Sequence, residues 1–133
     1  MKIFKTMLAA GVLLVTQSAS ASPAVDALLK VYSDAGAGPF SAEAGERMWT
    51  QKHNHNTSPA ERSCGGCHTS NLADAGKHVK TSKLIEAMSP AVNTKRLTET
   101  KKIEKWFMRN CKWTLGRECT AQEKGDFLLY IQK

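Results

Sequence analysis

The chain has 133 residues, with 19 Lys and Arg against 12 Asp and Glu, four Cys and four His, and a formal net charge of +7. That length suits one domain with one modest core. The basic residues are scattered with no aromatic-interleaved stripe, which argues against a nucleic-acid partner, and no run after residue 15 is apolar enough to span a membrane.

The chain opens Met1-Lys2-Ile3-Phe4-Lys5, runs apolar from Met7 to Val15, and then passes through small residues to Ala19-Ser20-Ala21. A basic start, a short apolar stretch and an Ala-x-Ala site predict a secretory signal peptide over 1–21, cleaved between Ala21 and Ser22. An uncleaved anchor is the alternative, but the apolar run is short for a span. Cleavage would remove Lys2 and Lys5 and take the formal charge from +7 to +5. The mature domain, 22–133, would then work in the periplasm, where disulfides persist.

Ser22 and Pro23 open the first predicted helix, since Ser caps and Pro fits the first turn. Val25, Leu28, Leu29 and Tyr32 give it one apolar face, and Gly36-Ala37-Gly38-Pro39 ends it. A second helix is predicted over 42–51, capped by Ser41, with Met48 and Trp49 facing inward. The polar stretch 52–62 reads as a loop. After His68 the chain reads as irregular, with a helical turn near 72–75 and a short helix over 82–88 that stops before Pro90. Thr98 or Thr100 caps a clearer helix through Arg109, with Ile103, Trp106 and Phe107 on its buried side. Thr120-Ala121-Gln122-Glu123 is a capping box that opens a last helix carrying Phe127, Leu128 and Ile131. No alternating strand pattern of useful length is present, so the predicted class is all-α.

Cys64-Gly65-Gly66-Cys67-His68 is the pattern of c-type haem attachment. Each thiol adds to one haem vinyl group, and the adjacent His is held against the iron as the proximal ligand. Gly65 and Gly66 permit the tight bend between the two anchors. A redox dithiol would sit at a strand-to-helix junction, and no strand is predicted ahead of Cys64. A zinc site would need a second close ligand pair, which the spacing of Cys111 and Cys119 does not supply. A disulfide between Cys64 and Cys67 is sterically poor. One covalent haem c is therefore the expected cofactor, on a small class I-like cytochrome c fold. In such folds an early Gly-x-x-x-aromatic helix packs across the last helix. Here Gly45-Glu46-Arg47-Met48-Trp49 would meet Phe127, Leu128 and Tyr130, with the helix from Ala24 as an added N-terminal element.

The sixth iron ligand is open on residue type alone. Met88, in Glu86-Ala87-Met88-Ser89-Pro90, is a reasonable ligand or a core filler. Met108 beside Phe107 reads as packing. His78, between Lys77 and Lys80, reads as exposed, and His53 and His55 as solvated loop residues. Lys112 would have to lose its proton. Asn110 offers a weak amide oxygen, and Asn at a helix end is commonly a cap.

The segment from Glu104 to Ile131, EKWFMRNCKWTLGRECTAQEKGDFLLYI, together with SCGGCHTSN and AERSC upstream, resembles the sphaeroides haem protein (SHP) family of small c-type cytochromes. The resemblance covers nearly the whole of 22–133, and RNC…GREC followed by the capping box is its most specific part. It implies that Asn110 is the distal iron ligand opposite His68 and that Cys111 pairs with Cys119 beside it. It also implies a dihaem cytochrome c as electron donor. Trp106 and Asn110, one helical turn apart, could both face the haem. A neutral oxygen donor suits hard ferric iron better than ferrous iron. Reduction is therefore expected to free a site for dioxygen, nitric oxide or carbon monoxide. The alternative is a simple electron carrier with Met or His as sixth ligand. An oxygen- or nitric-oxide-linked redox reaction would be an extension, and the sequence assigns no catalytic residue to one. Lys95, Arg96, Lys101, Lys102, Lys105 and Arg109 form either a docking face for an acidic partner or an ordinary solvated face.

Overall fold

A computed structural model describes residues 22–55 and 58–133, and the expected signal peptide over 1–21 lies outside them. In chain order the elements are α1 (Pro23–Asp34), α2 (Ala42–Thr50), β1 (His53–His55), β2 (Ser58–Arg62), α3 (Cys64–His68), β3 (Gly76–Lys77), β4 (Leu84–Ile85), α4 (Thr100–Leu115) and α5 (Ala121–Ile131). The class is all-α, with the strands forming two antiparallel pairs, β1 with β2 and β3 with β4.

Helix starts follow local chemistry. The hydroxyl of Ser22 accepts from the Val25 amide and that of Ser41 from the Ala44 amide. Thr120 and Glu123 make the reciprocal capping box of α5, and Arg117 holds the Glu123 carboxylate with a second donor at 2.7 Å. Each such cap is worth about 0.5–2 kcal/mol against Ala.

Two sets of apolar side chains meet along α5. Trp49, Leu72, Phe127, Tyr130 and Ile131 belong to one, with both Cys111 and Cys119. Val25, Leu28, Tyr32, Ile103 and Leu128 belong to the other, which joins α1 to α4 and α5. Val25 and Leu128 are fully buried, a gain of roughly 1.5–3 kcal/mol for each side chain. The Tyr32 hydroxyl donates to Glu104, which also accepts from Lys124 at 2.6 Å. A polar tie thus spans α1, α4 and α5 beside the second set.

Helices α2 and α5 cross in close contact. A Cβ built on Gly45 would stand 2.2 Å from the Asp126 carbonyl oxygen, so only hydrogen fits there. The expected Gly-x-x-x-aromatic crossing is present, with Trp49 edge-on to both Phe127 and Tyr130. The buried Asp126 carboxylate accepts from the Ser41 amide at 2.7 Å and fixes the start of α2 against α5.

Several expectations are corrected. Within 52–62, expected to be a loop, β1 and β2 pair antiparallel with His53 opposite Arg62, and Lys52 and Glu61 form an ion pair at 3.0 Å. No helix forms over 82–88. Ser82 has φ 56°, and Leu84 and Ile85 pair with Lys77 and Gly76. So short a segment is a marginal helix by itself, and the ribbon satisfies its backbone instead. Helix α4 has Glu99 at its N-cap without a side-chain cap, and it runs on through Asn110 and Cys111 to Leu115, with Gly116 at φ 75° closing it. Trp106 is 44% exposed, not buried.

The α2–α5 contact makes a direct test of this packing. Gly45→Ala is expected to lower stability by about 1–3 kcal/mol through overpacking, read as a shift in the denaturant midpoint. An unchanged midpoint would mean the helices cross less tightly than described.

Candidate functional site

Helix α3 is a single turn. The Ser63 hydroxyl accepts from the Gly66 amide at 3.0 Å and starts it. Cys64 and Cys67, three residues apart on that turn, lie on one side of it, and neither is in a disulfide. Burial pushes the Cys64 thiol up to about 11, with nearby Cys67 adding to the rise and hydrogen bonds from its own backbone and Thr114 opposing it. A thiol held protonated is unlike the low-pKa cysteine of a redox dithiol. This point matters because strand β2 does precede α3, so the absence of a strand no longer weighs against the dithiol reading. The zinc reading loses two donors, because Cys111 and Cys119 are bonded to each other.

Two helices hold the chain that leaves α3. The Trp49 indole donates to the Thr69 carbonyl at 2.7 Å, and the Tyr130 hydroxyl donates to the Ser70 carbonyl at 3.3 Å. Trp49 also lies 5.6 Å from the His68 ring. Gly76 of β3 backs onto the turn so closely that a Cβ there would stand 1.9 Å from the Cys67 carbonyl oxygen. Burial, then the charges of Arg96 and His78, push His68 down to about 4. Its imidazole is therefore neutral at physiological pH, the form that ligates a metal. His68 Nδ1 is buried with no hydrogen-bond partner. Two thiols on one side of a turn, followed by a neutral imidazole with an unsatisfied nitrogen, fit a covalently attached haem.

Across from α3 lies the inward face of α4. Ile103, Cys111 and Thr114 are buried on it. By the ~100° step of an α-helix, Asn110 sits about 20° beyond Ile103, at the edge of this buried arc and on the side that carries Trp106 and Trp113, and it is exposed. Thr114, one turn further on, is the residue hydrogen-bonded to Cys64. Asn110 is thereby set about one helical turn from the contact with the attachment turn. Trp106, Asn110 and Trp113 follow one another along this side of α4, and Arg109 stacks 5.3 Å from the Trp106 ring.

The other ligand candidates fall elsewhere. Met88 is half-buried and packs against the Trp49–Leu72 side of the core. Met108 is 47% exposed beside Lys101, Lys105 and Cys119 on the outer side of α4, and so is not the packing residue expected. Lys112 pairs with Glu118 at 3.1 Å. His78, expected to be exposed, is half-buried. Its Nδ1 accepts from the amides of Lys80 and Thr81, and its ring tilts against Trp113. His53 is half-buried in β1, and the side chain of His55 lies outside the described residues. Among the described residues no three His, Cys, Asp or Glu side chains converge as a metal-ligand set.

Cys111 and Cys119 form a disulfide with Cα atoms 5.6 Å apart. Cys111 directly follows Asn110 within α4, and Cys119 directly precedes the Thr120 cap of α5. The bond therefore fastens the last turn of α4 to the first of α5. Thr114, Trp113 and Arg62 were not singled out from sequence. The available signal was Arg62 in the AERSC segment, two residues ahead of the first attachment cysteine.

A family model described as a domain of unknown function (DUF1924) matches residues 35–131. Cytochrome c'' of Methylophilus methylotrophus is 42% identical over 71 residues, which are 53% of this chain and 49% of that protein. The matched segment thus spans about half the length of that relative. Cytochrome c-type protein SHP of Cereibacter sphaeroides is 33% identical over 104 residues, 78% of this chain and 79% of that one. The solved structure of oxidised cytochrome c'' superposes with a TM-score of 0.71 at 31% identity, over 81% of this chain and 92% of that chain. That of oxidised SHP, described as an oxygen-binding cytochrome c, gives 0.72 at 31% identity, over 81% and 95%.

The disulfide separates its two cysteines by 8 positions, and closing so small a loop removes about 2.6 kcal/mol of unfolded-chain entropy. Replacing both cysteines, Cys111→Ala with Cys119→Ala, is expected to lower unfolding stability by about that amount or more. Equal thermal midpoints for the double variant and the parent would contradict it.

Proposed function

The chain belongs to the SHP-type family of monohaem c-type cytochromes and carries one covalent haem c; on that premise we propose that His68 and Asn110 are the axial ligands and that Asn110 lets go on reduction, so that the ferrous protein binds a diatomic gas. The observation that carries this reading is the place of Asn110 on α4, beside the inward face and one turn before Thr114, the residue that touches Cys64. Cys64 and Cys67 are the thioether anchors and His68 the proximal ligand.

Bound haem supplies an iron that cycles between ferric and ferrous states, and a neutral amide oxygen suits the harder ferric ion better than the ferrous one. Each protein group has a separate task. His68 offers a neutral ring nitrogen, held by the Trp49 contact and by the backbone anchors at Thr69 and Ser70. Asn110 presents a short amide side chain, a weak ligand once the iron is ferrous. The disulfide beside it keeps the helix end in place while the side chain moves. The gas is dioxygen or nitric oxide, a reading supported by the relative described as oxygen-binding. The rival reading is an electron carrier with a strong sixth ligand, for which half-buried Met88 is the nearest candidate.

We further propose that the protein works in the periplasm once 1–21 is removed, and that a dihaem cytochrome c supplies its electron. Lys102 and Arg109 lie on the side of α4 that carries Trp106, next to Asn110, and form the part of the basic cluster best placed to meet such a donor. Arg96 is otherwise engaged, donating to the Ala87 and Glu86 carbonyls.

Optical spectra of the ferric protein, then of the anaerobically reduced protein with carbon monoxide added, decide between the readings. A high-spin ferrous form that takes up carbon monoxide rapidly is the expected result. Sharp low-spin ferrous bands and indifference to carbon monoxide would sink the Asn110 reading in favour of a strong ligand. Asn110→Ala should keep its haem through denaturing electrophoresis and bind added imidazole in the ferric state about tenfold faster or more, equivalent to ~1.4 kcal/mol. For the donor, the rate of reduction by a purified dihaem cytochrome c should fall with ionic strength, and less steeply in Lys102→Gln with Arg109→Gln. A rate flat in salt would count against docking on this face.

A further inference from the structure

Arg62 joins two parts of the molecule that lie 51 positions apart. Its guanidinium Nη1 donates to the Trp113 carbonyl at 2.9 Å, and its Cζ stands 3.9 Å from the centroid of the Trp113 ring. The carbonyl of Trp113 is among the last of α4, which have no partner within the helix. One side chain therefore satisfies an orphan acceptor, places positive charge at the negative end of the helix dipole and stacks on an indole face. Lys80 Nζ lies 4.8 Å from the same ring and the His78 ring 5.9 Å away. Among the described residues neither Arg62 nor Lys80 forms an ion pair. The contact is thus built on the indole and the carbonyl, with no carboxylate involved.

The positions of the two ends give the contact its meaning. Arg62 is two residues before Cys64, and Trp113 is three residues after Asn110. A second link between the same parts, Thr114 to Cys64, uses the sulfur that haem attachment converts to a thioether. The Arg62 link uses no atom that attachment consumes. With the disulfide holding the end of α4 to α5, Arg62 holds that end to the attachment turn.

We propose that Arg62 is a positioning residue that sets how readily Asn110 leaves the iron. This rests on the reading of Asn110 as the distal ligand. Without the guanidinium the last turn of α4 stays tied to α5 but is free to shift away from α3, and Asn110 shifts with it. The guanidinium is engaged by the Trp113 carbonyl and ring, so the effect of its loss is transmitted through the helix.

The test is stopped-flow binding of imidazole to the ferric holoprotein, because imidazole enters only where Asn110 has left. Arg62→Met is expected to bind about tenfold faster, the worth of one hydrogen bond to a charged group, and Arg62→Lys to fall between it and the parent. Backbone amide exchange over 112–116 should rise in Arg62→Met and stay at the parent level in Asn110→Ala. In an Asn110→Ala background Arg62→Met should add nothing further, since coupled sites are non-additive. Parent-like binding by Arg62→Met while Asn110→Ala is fast would overturn the positioning role and leave the ligand assignment standing. An undiminished gain in the double variant would overturn it too, because Arg62 would then govern access. A parent-like rate in Asn110→Ala would instead remove the ligand assignment itself. If Arg62→Met fails to retain haem, Trp113→Phe removes the indole while keeping an aromatic contact, and parent rates in both it and Arg62→Lys overturn the proposal.

Discussion

At Gly45 the backbone of α2 comes so near α5 that a methyl group would collide with the Asp126 carbonyl oxygen, 2.2 Å away. That separation sets the position of everything on the proximal side. Trp49 is one turn further along α2, and Tyr130 one turn beyond Asp126 on α5. From those positions the two aromatic side chains reach the carbonyls of Thr69 and Ser70, the residues that follow His68. A wider crossing would carry both donors away from their acceptors. The single turn of α3 is too short to hold itself by helix propensity, so its geometry is borrowed from two longer helices and from β3 at its back.

The distal side works by a different balance. On the proposed assignment Asn110 brings a neutral amide, a weak ligand for ferrous iron, so little in the side chain itself resists departure. The surrounding backbone is correspondingly over-restrained. The disulfide contributes about 2.6 kcal/mol by loop closure, and the capping box that follows it about 0.5–2 kcal/mol. Arg62 supplies a charge-assisted bond from the opposite side. A mobile side chain on an immobile helix end is the combination that a reversible ligand requires. It also explains why the bonded cysteines sit directly beside Asn110 and directly before the α5 cap, and not farther out in a loop.

Expectations from sequence held where the signal was local. Ser22, Ser41 and the Thr120–Glu123 box marked helix starts, because a cap is decided by a few neighbouring atoms. The Gly45–Trp49 pattern marked the crossing, because no other residue fits so close a contact. Expectations lapsed where distant partners decide. The 52–62 and 82–88 stretches are polar or short, and their strands exist only because each finds a partner strand. The helix expected to end at Arg109 runs on to Leu115. In the structure Cys111 keeps its helical place while bonding to Cys119. Trp106 looked like core by its spacing, but its side of α4 opens outward near Asn110.

The amino-acid sequence by itself determined the cofactor class, the attachment turn and the all-α architecture. These follow from covalent chemistry, which needs two thiols and an imidazole at fixed spacing, and from apolar periodicity, which a one-dimensional pattern can express. Resemblance to relatives singled out Asn110 where residue type alone could not, since an amide oxygen has nothing in its sequence neighbourhood that marks it as a ligand. Only the tertiary structure decided that Thr114 meets Cys64 and that Arg62 reaches the end of α4. Those contacts join residues some fifty positions apart, and their partners are set by how helices pack, which no local pattern records.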